Sequence, residues 1–321
     1  MNNKKFVWSC IVMTFFTACN QAEVENQNAV DLRLSITASI KGQEKQPVSR
    51  YVGDDPSMVD FEQGDRIGVF VDDNPASLWV LGQTGWNPNV LVYWPDKVND
   101  HIFRAFYPYA EASSVENVPM PSLKTQSGTV ASISSCDFLV ASVTERYEKQ
   151  GETGRDGVVD FRDEHSFEHV SSLLQLSFRG DGDLKSSTLE KIQIEGADIV
   201  APSTYSFLDR KVSTASDASS DVLTVLLSHA MNGQDATFFF ILNEKKDVSP
   251  VVLTVEYSSN GKHYVASMEN FAGNFFEGGM CQSYTFTIKD SSLIISGSSI
   301  SPWGEGETLD DIVINGEERH V

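Results

Sequence analysis

The stretch VVLTVEYSSNGKHYVASMEN, residues 251–270, decides the fold. Leu253, Val255 and Tyr257 alternate with polar residues ahead of Asn260-Gly261, and Tyr264, Ala266 and Met268 alternate behind it. A period of two on both sides of a dipeptide that tolerates positive φ predicts a two-strand hairpin closed by a tight turn. The chain reads the same way outward from this point. Upstream, TFFFILNEKKD is continuously apolar from Phe238 to Leu242, the pattern of a strand covered on both faces. Downstream, QSYTFTI (282–288) and SSLIIS (291–296) are further strands. Helical periodicity is scarce, and its best candidate, around Leu184 to Lys191, is short.

The first half repeats the pattern. DLRLSITASI (31–40) puts Leu32, Leu34, Ile36 and Ile40 on one side and Arg33, Ser35, Thr37 and Ser39 on the other, as a half-buried strand requires. DRIGVFVDDN, NVLVYWPD and HIFRAFYPYA follow, each punctuated by Asp, Asn or Pro. Short strands with turn chemistry between them predict an all-β chain of sandwich type. The charged, glycine-rich ERYEKQGETGRDG (145–157) reads as the linker, or as a long exposed hairpin loop close to it. It divides an N-terminal sandwich, 31–157, from a C-terminal one, 158–321. The polar RKVSTASDASSD (210–221) is expected as a loop within the second domain, and no fixed-period repeat suggests a propeller or solenoid.

The N-terminus has the layout of an export signal. Lys4 and Lys5 precede an apolar run, Phe6 to Phe16, that is too short to span a bilayer. Thr17 and Ala18 then lead into Cys19, which resembles a lipobox: residues 1–18 are expected to be removed and Cys19 acylated. Each buried CH2 of an acyl chain contributes about 0.8 kcal/mol, so several chains make a durable outer-membrane anchor. Residues 19–30 are then a polar tether, and no later stretch approaches the length of a membrane-spanning helix. The formal charge is −21; loss of the two leader lysines leaves 22 basic against 45 acidic residues, or −23. Such a surface repels nucleic acid and anionic headgroups. After processing only Cys136 and Cys281 remain as thiols. Their spacing does not demand a disulfide, and two isolated thiols do not make a metal cluster.

DEHSFEH carries His165 and His169, but Ser166 stands where a zinc-protease helix needs glutamate, so no metal site is expected. RGDGD (179–183) contains the tripeptide read by some adhesion receptors, in a sequence that is equally ordinary turn chemistry; as a calcium loop it fails at Lys185 and Ser186. No nucleophile elbow, phosphate loop or supported Cys-His pair appears, so no catalytic residue and no cofactor is expected. Trp79, Trp86, Trp94 and Trp303 are either core residues or aromatic platforms for sugar rings, and the latter would make the chain a monomeric glycan-binding surface lipoprotein.

Taken in order and spacing, HIFRAFYPYA, CDFLVAS, HSFEHVSSLLQLSF, ATFFFILNEKKDVSPVVLTV, FFEGGMCQSYTFTI and SSISPWGEGE resemble the fimbrillin family, the Mfa-like lipoprotein-derived pilins of type V pili. The resemblance spans residues 30–305. It implies two transthyretin-like sandwiches, export as a lipoprotein, and assembly with other fimbrillin subunits into adhesive surface fimbriae after an Arg-specific protease trims the N-terminus. A host receptor or glycan is a further partner it suggests. Stalk and tip subunits of such fimbriae are cleaved, whereas an anchor keeps its lipid. Carried onto this chain, the removable strand is 31–40 with Leu32, Leu34, Ile36 and Ile40, cut after Arg50 or, inside the strand, Arg33. Refilling a groove left by four apolar side chains returns roughly 6 to 12 kcal/mol before ordering costs. The donor strand from a neighbour is either LDDIVING, with Ile312 and Ile314, or SLIIS, with Leu293 and Ile295.

Overall fold

The computed structural model describes residues 32–41, 60–149, 155–215, 221–247 and 249–303. The leader, the tether, Cys19, Arg50, Ile312 and Ile314 lie outside the described residues. What is described is almost wholly β. The first half contributes β1 (Ser35–Ala38), β2 (Arg66–Val71), β3 (Ser77–Gly82), β4 (Gly85–Pro88), β5 (Asp100–Tyr107), β6 (Val118–Pro119), β7 (Leu139–Arg146), β8 (Val158–Phe161) and β9 (Glu168–His169). The second contributes β10 (Ser172–Phe178), β11 (Thr188–Gly196), β12 (Ser203–Ser206), β13 (Lys211–Thr214), β14 (Asp221–Ala230), β15 (Ala236–Leu242), β16 (Val251–Ser259), β17 (Lys262–Met268), β18 (Met280–Lys289) and β19 (Ser292–Pro302).

The hairpin 251–270 forms as its pattern requires. Leu253 pairs with Met268, Val255 with Ala266 and Tyr257 with Tyr264, and the last pair stacks at 5.1 Å between ring centroids. Asn260 and Gly261 close the turn at φ +51° and +73°, the conformation that excludes most other residues. This hairpin belongs to a sheet ordered β14-β11-β16-β17, and a second sheet runs β15-β10-β18-β19. Their inward side chains pool into one core that includes Ile192, Val255, Phe240 and Phe286. Phe238 to Leu242 are all buried. The outer edge of β15 is capped by the first half of the chain: Phe239 N–H donates to the Gly128 carbonyl at 2.9 Å, and the Gln126 side chain both donates to and accepts from Ile241. Leu123, Ile133 and Cys136 of the same stretch pack into this core, and burial of both faces of β15 is why the segment shows no polar alternation.

The first core lies between a six-stranded sheet, β4-β3-β2-β5-β7-β9, and the two-stranded parallel pair β1-β8. Trp79, Trp94, Phe103, Phe161 and Phe167 fill it. The opposite face of β2 and β5 is also covered: Phe70 and Phe106 join Phe138, Tyr205 and Phe207 in a third cluster, beside the small sheet β13-β12-β6. Gly68 makes that packing feasible, since a Cβ there would lie 2.2 Å from the Phe106 ring.

Several details differ from the sequence reading. The stretch expected to be helical, Leu184 to Lys191, is a 3-10 turn (Gly182–Leu184) that runs into β11, because Leu189 and its alternating neighbours are claimed by the sheet. NVLVYWPD bends at Asn89, Val90 and Pro95 and forms only an isolated bridge at Tyr93. Lys211–Thr214, anticipated as loop, is β13. Phe161 and Phe167 pack in the first core and Leu173 in the second, and Leu123, Ile133 and Cys136 of the first half also reach into the second.

Candidate functional site

β1 is a strand laid into the first core and held along both flanks. On one flank it runs parallel to β8, Ser35 to Ala38 opposite Val158 to Phe161. Ser35 N–H donates to the Gly157 carbonyl at 3.1 Å, Ser39 N–H to Phe161 and Lys41 N–H to Phe167 at 2.9 Å each, and Phe167 N–H returns a bond to Ser39. On the other flank Leu34 N–H donates to Val92, and Trp94 N–H to Leu32, both at 2.9 Å. Inward, Leu34, Ile36 and Ile40 are buried, at 5%, 6% and 0% exposure, and Leu32 packs against the same cluster. Outward, Arg33 and Ser35 are exposed. The alternation read in DLRLSITASI is thus the alternation of a strand that covers a core. Beneath it the apolar side chains join Trp94, Val159, Phe161 and Phe167 in the first core.

The outer side of β1 is fastened by charge. Thr37 Oγ1 donates to Asp160 Oδ1 at 2.8 Å, and Asp160 also accepts from Arg162 Nε at 2.6 Å and from Arg155. Burial pushes the Asp160 carboxyl up, but the hydrogen bonds from Arg162 and Thr37 and the Arg162 and Arg155 guanidinium groups outweigh it and hold the group down at about 2. At the end of the strand Lys41 Nζ meets Glu168 at 2.9 Å. Gly157 stands beside the start of β1. It sits at φ +78°, and its carbonyl accepts both from Ser35 N–H and from the Trp94 indole at 2.8 Å. Sequence reading placed Gly157 at the end of a linker or long exposed hairpin loop, weighed Trp94 only as core or a sugar platform, and passed over Asp160 and Phe167 as site residues. The run Gly-Val-Val-Asp-Phe, a turn glycine followed by an alternating strand, was the available signal.

The other sequence candidates are placed as follows. Arg33 forms an antiparallel bridge with Tyr93 inside the flanking bonds of β1. Leu293 and Ile295 lie on β19, paired with Ile288 and Phe286 of β18, so SLIIS closes its own sheet. Trp303, at the end of β19, is buried and stacks on His169 with centroids 3.8 Å apart; its N–H donates to the Gly279 carbonyl. His169 Nδ1 bonds buried Asp137 at 2.9 Å, whereas His165 lies in a separate, partly exposed turn. Trp79, Trp86 and Trp94 are buried too, so none of the four tryptophans offers a flat face to a sugar and the glycan-platform reading loses its residues. Arg179 and Asp181 are exposed, while Gly180 is pressed against Gln234. Cys136 and Cys281 are both buried, and burial raises the Cys136 thiol above its usual range.

A family model described as fimbrillin-like matches residues 50–303. Among solved structures, a candidate cell adhesion protein of Bacteroides uniformis superposes with a TM-score of 0.55 at 18% identity, over 84% of this chain and 98% of its own. One from Bacteroides ovatus gives 0.53 at 17%, over 84% and 96%. One from Bacteroides fragilis gives 0.51 at 13%, over 88% and 99%. No curated protein matches the chain. At these identities the structural likeness speaks to the fold.

Proposed function

Because the chain belongs to the fimbrillin-like family, we propose that it is a structural and adhesive subunit of cell-surface fimbriae, exported as a lipoprotein through Cys19 and assembled by exchange of its first strand. In this reading the chain is two sandwich domains in tandem, tethered to the outer membrane before assembly, and its partners are other fimbrillin subunits and a surface ligand of the host. Cleavage after Arg50 severs β1 from the rest, and a strand of the next subunit takes its place.

The observation that carries the reading is the placement of β1. Its three buried side chains, Leu34, Ile36 and Ile40, are part of the first core, so departure of the strand would uncover Val159, Phe161 and Phe167. Reburying three such side chains is worth roughly 4.5 to 9 kcal/mol before ordering costs, enough to hold a neighbour firmly. Backbone groups of Val92, Trp94, Gly157, Phe161 and Phe167 stand ready to pair with an incoming strand. Since SLIIS is committed to β18, LDDIVING, with Ile312 and Ile314, is the donor in this proposal. Arg50 is preferred over Arg33 as the cut, because Arg33 lies within the bonds that secure β1.

The test is treatment of the full chain with an Arg-specific protease. A new N-terminus at Tyr51 and heat-resistant, laddered oligomers are expected. Monomers that persist after confirmed cleavage at Arg50 would falsify the assembly mechanism.

A further inference from the structure

The face of β5 and β7 turned away from the first core carries an open cleft of about 590 Å³, a size within the usual span of small-molecule sites. Its floor is the β5-β7 ladder, where Arg104 pairs with Ser142 and Ile102 with Thr144. One wall is the turn of Glu164 and His165, continued by Glu168 of β9, which pairs with Val140 of β7. The other wall is the corner between β12 and β13, with Leu208 and Arg210. Arg104 is the unusual group. Its side chain is only 10% exposed, yet its guanidinium gives one hydrogen bond, from Nη1 to the Asp72 carbonyl at 3.1 Å. The carboxylate nearest to it among the described residues, that of Asp73, is 90% exposed and 4.0 Å away. A guanidinium presents a planar fork of N–H donors, and taking it out of water without a carboxylate in register is unfavourable. Arg210, exposed in the same cleft, makes no ion pair among the described residues.

We infer that this cleft binds a sugar residue that carries a carboxylate, with Arg104 and Arg210 on the carboxylate and the acidic wall on the hydroxyls. A ligand carboxylate matches the unused donors of the Arg104 fork in a bidentate pair, which a buried guanidinium favours. Glu164 and Glu168, the latter already held by Lys41, are acceptors only. They suit hydroxyl donors and repel the second charge of a phosphate. β5 and β9 flank β7 and stand two strand spacings, about 10 Å, apart. A ligand that spans the cleft therefore carries its charge at one end and hydroxyls at the other. Between those ends Ser142 and Thr144 both donate and accept, while Ile102 and Leu208, 38% and 54% exposed, offer apolar surface to the C–H face of a ring. No tryptophan takes part. On a chain of formal charge −21 an anion is repelled in general, so it is held where cations are left unmatched. The inference names the chemistry of the surface ligand in the function proposed above; it rests on that adhesive reading and is independent of strand exchange.

Isothermal titration of the uncleaved full-length chain tests this, with D-glucuronate, D-galacturonate and N-acetylneuraminate as acidic probes and D-glucose and inorganic phosphate beside them. Saturable binding of at least one acidic sugar is expected, about tenfold or more tighter than glucose and phosphate. Arg104→Lys keeps the charge and removes the fork, and Arg210→Gln removes an exposed cation; each is expected to weaken that sugar about tenfold. Lys289→Gln, which removes an exposed cation from β18, is expected to leave it unchanged. Should Arg104→Lys fail to fold, Arg210→Gln and Ser142→Val decide, each with the same weakening expected. Acidic sugars held no tighter than glucose, or weakened as much by Lys289→Gln as by Arg210→Gln, overturn the site. Phosphate bound as tightly as the acidic sugar overturns the assignment of a sugar. Ladder growth after Arg-specific cleavage is expected to be the same in Arg210→Gln as in the wild type, so failure of binding and failure of assembly are read apart.

Discussion

At the scale of single residues, Asp160 decides how firmly β1 is held. It takes the hydrogen bond of Thr37 from β1 while Arg162 and Arg155 neutralise it. Its folded pKa, about 2, lies below the ordinary 3.8, so the stabilisation is complete above about pH 4 and is lost as the pH falls through 2. After cleavage the N-terminal fragment should leave somewhat faster at pH 3 than at pH 5, through the Thr37 hydrogen bond alone, because Arg162 and Arg155 stay beside Asp160 when β1 departs. Asp160→Asn should leave faster at both, with the acid-dependent increment gone. Fragment release monitored by mass would show this, and an unchanged increment in the variant would remove Asp160 from the account. Gly68 has a different role: a methyl group there meets the Phe106 ring at 2.2 Å. Gly68→Ala should cost about 1 to 3 kcal/mol through overpacking, read as a lower denaturant midpoint at unchanged slope.

At the scale of elements, β1 is a strand whose apolar side serves the core and whose connection to that core is only local. Ile36→Ala deletes a buried side chain from it and should weaken its hold by about 2 to 4 kcal/mol. In a cleavage experiment this appears as earlier fragment loss, with little change in the second core's unfolding; equal destabilisation of both cores would contradict the element's independence. The strand itself was legible, because Leu32, Leu34, Ile36, Ala38 and Ile40, apolar at every second position, leave few alternatives to a half-buried strand. The hairpin 251–270 was legible for the same reason, reinforced by Asn260-Gly261. What flanks β1 was not. The parallel partner β8 lies more than a hundred residues away in the chain, and parallel pairing leaves no turn signature to mark it. Gly157 resembled a linker glycine because the property that matters, a carbonyl accepting two donors, belongs to the backbone. The tryptophans misled in another way: an aromatic ring carries the same letter in a core and on a sugar-binding face, and only burial separates them.

At the scale of the whole molecule, the two principal cores are joined by a cluster to which both halves contribute, Phe70, Phe106 and Phe138 with Tyr205 and Phe207. Trp303 on His169 ties the end of β19 to β9, and so fixes where the C-terminal segment leaves the fold. Trp303→Ala should loosen that exit and slow ladder growth while leaving cleavage at Arg50 unaffected; unchanged growth would deny the stack a part in presenting the donor. The account as a whole depends on β1 leaving the first core. Ile36 and Val159 are paired neighbours on the core-facing side of β1 and β8, so Ile36→Cys/Val159→Cys should allow a disulfide that locks the strand in place. The decisive measurement is the native mass of this locked chain after Arg-specific cleavage, before and after reduction. Strand exchange predicts monomers while the disulfide is intact and ladders once it is reduced. Ladders formed equally well by the oxidised chain would contradict it.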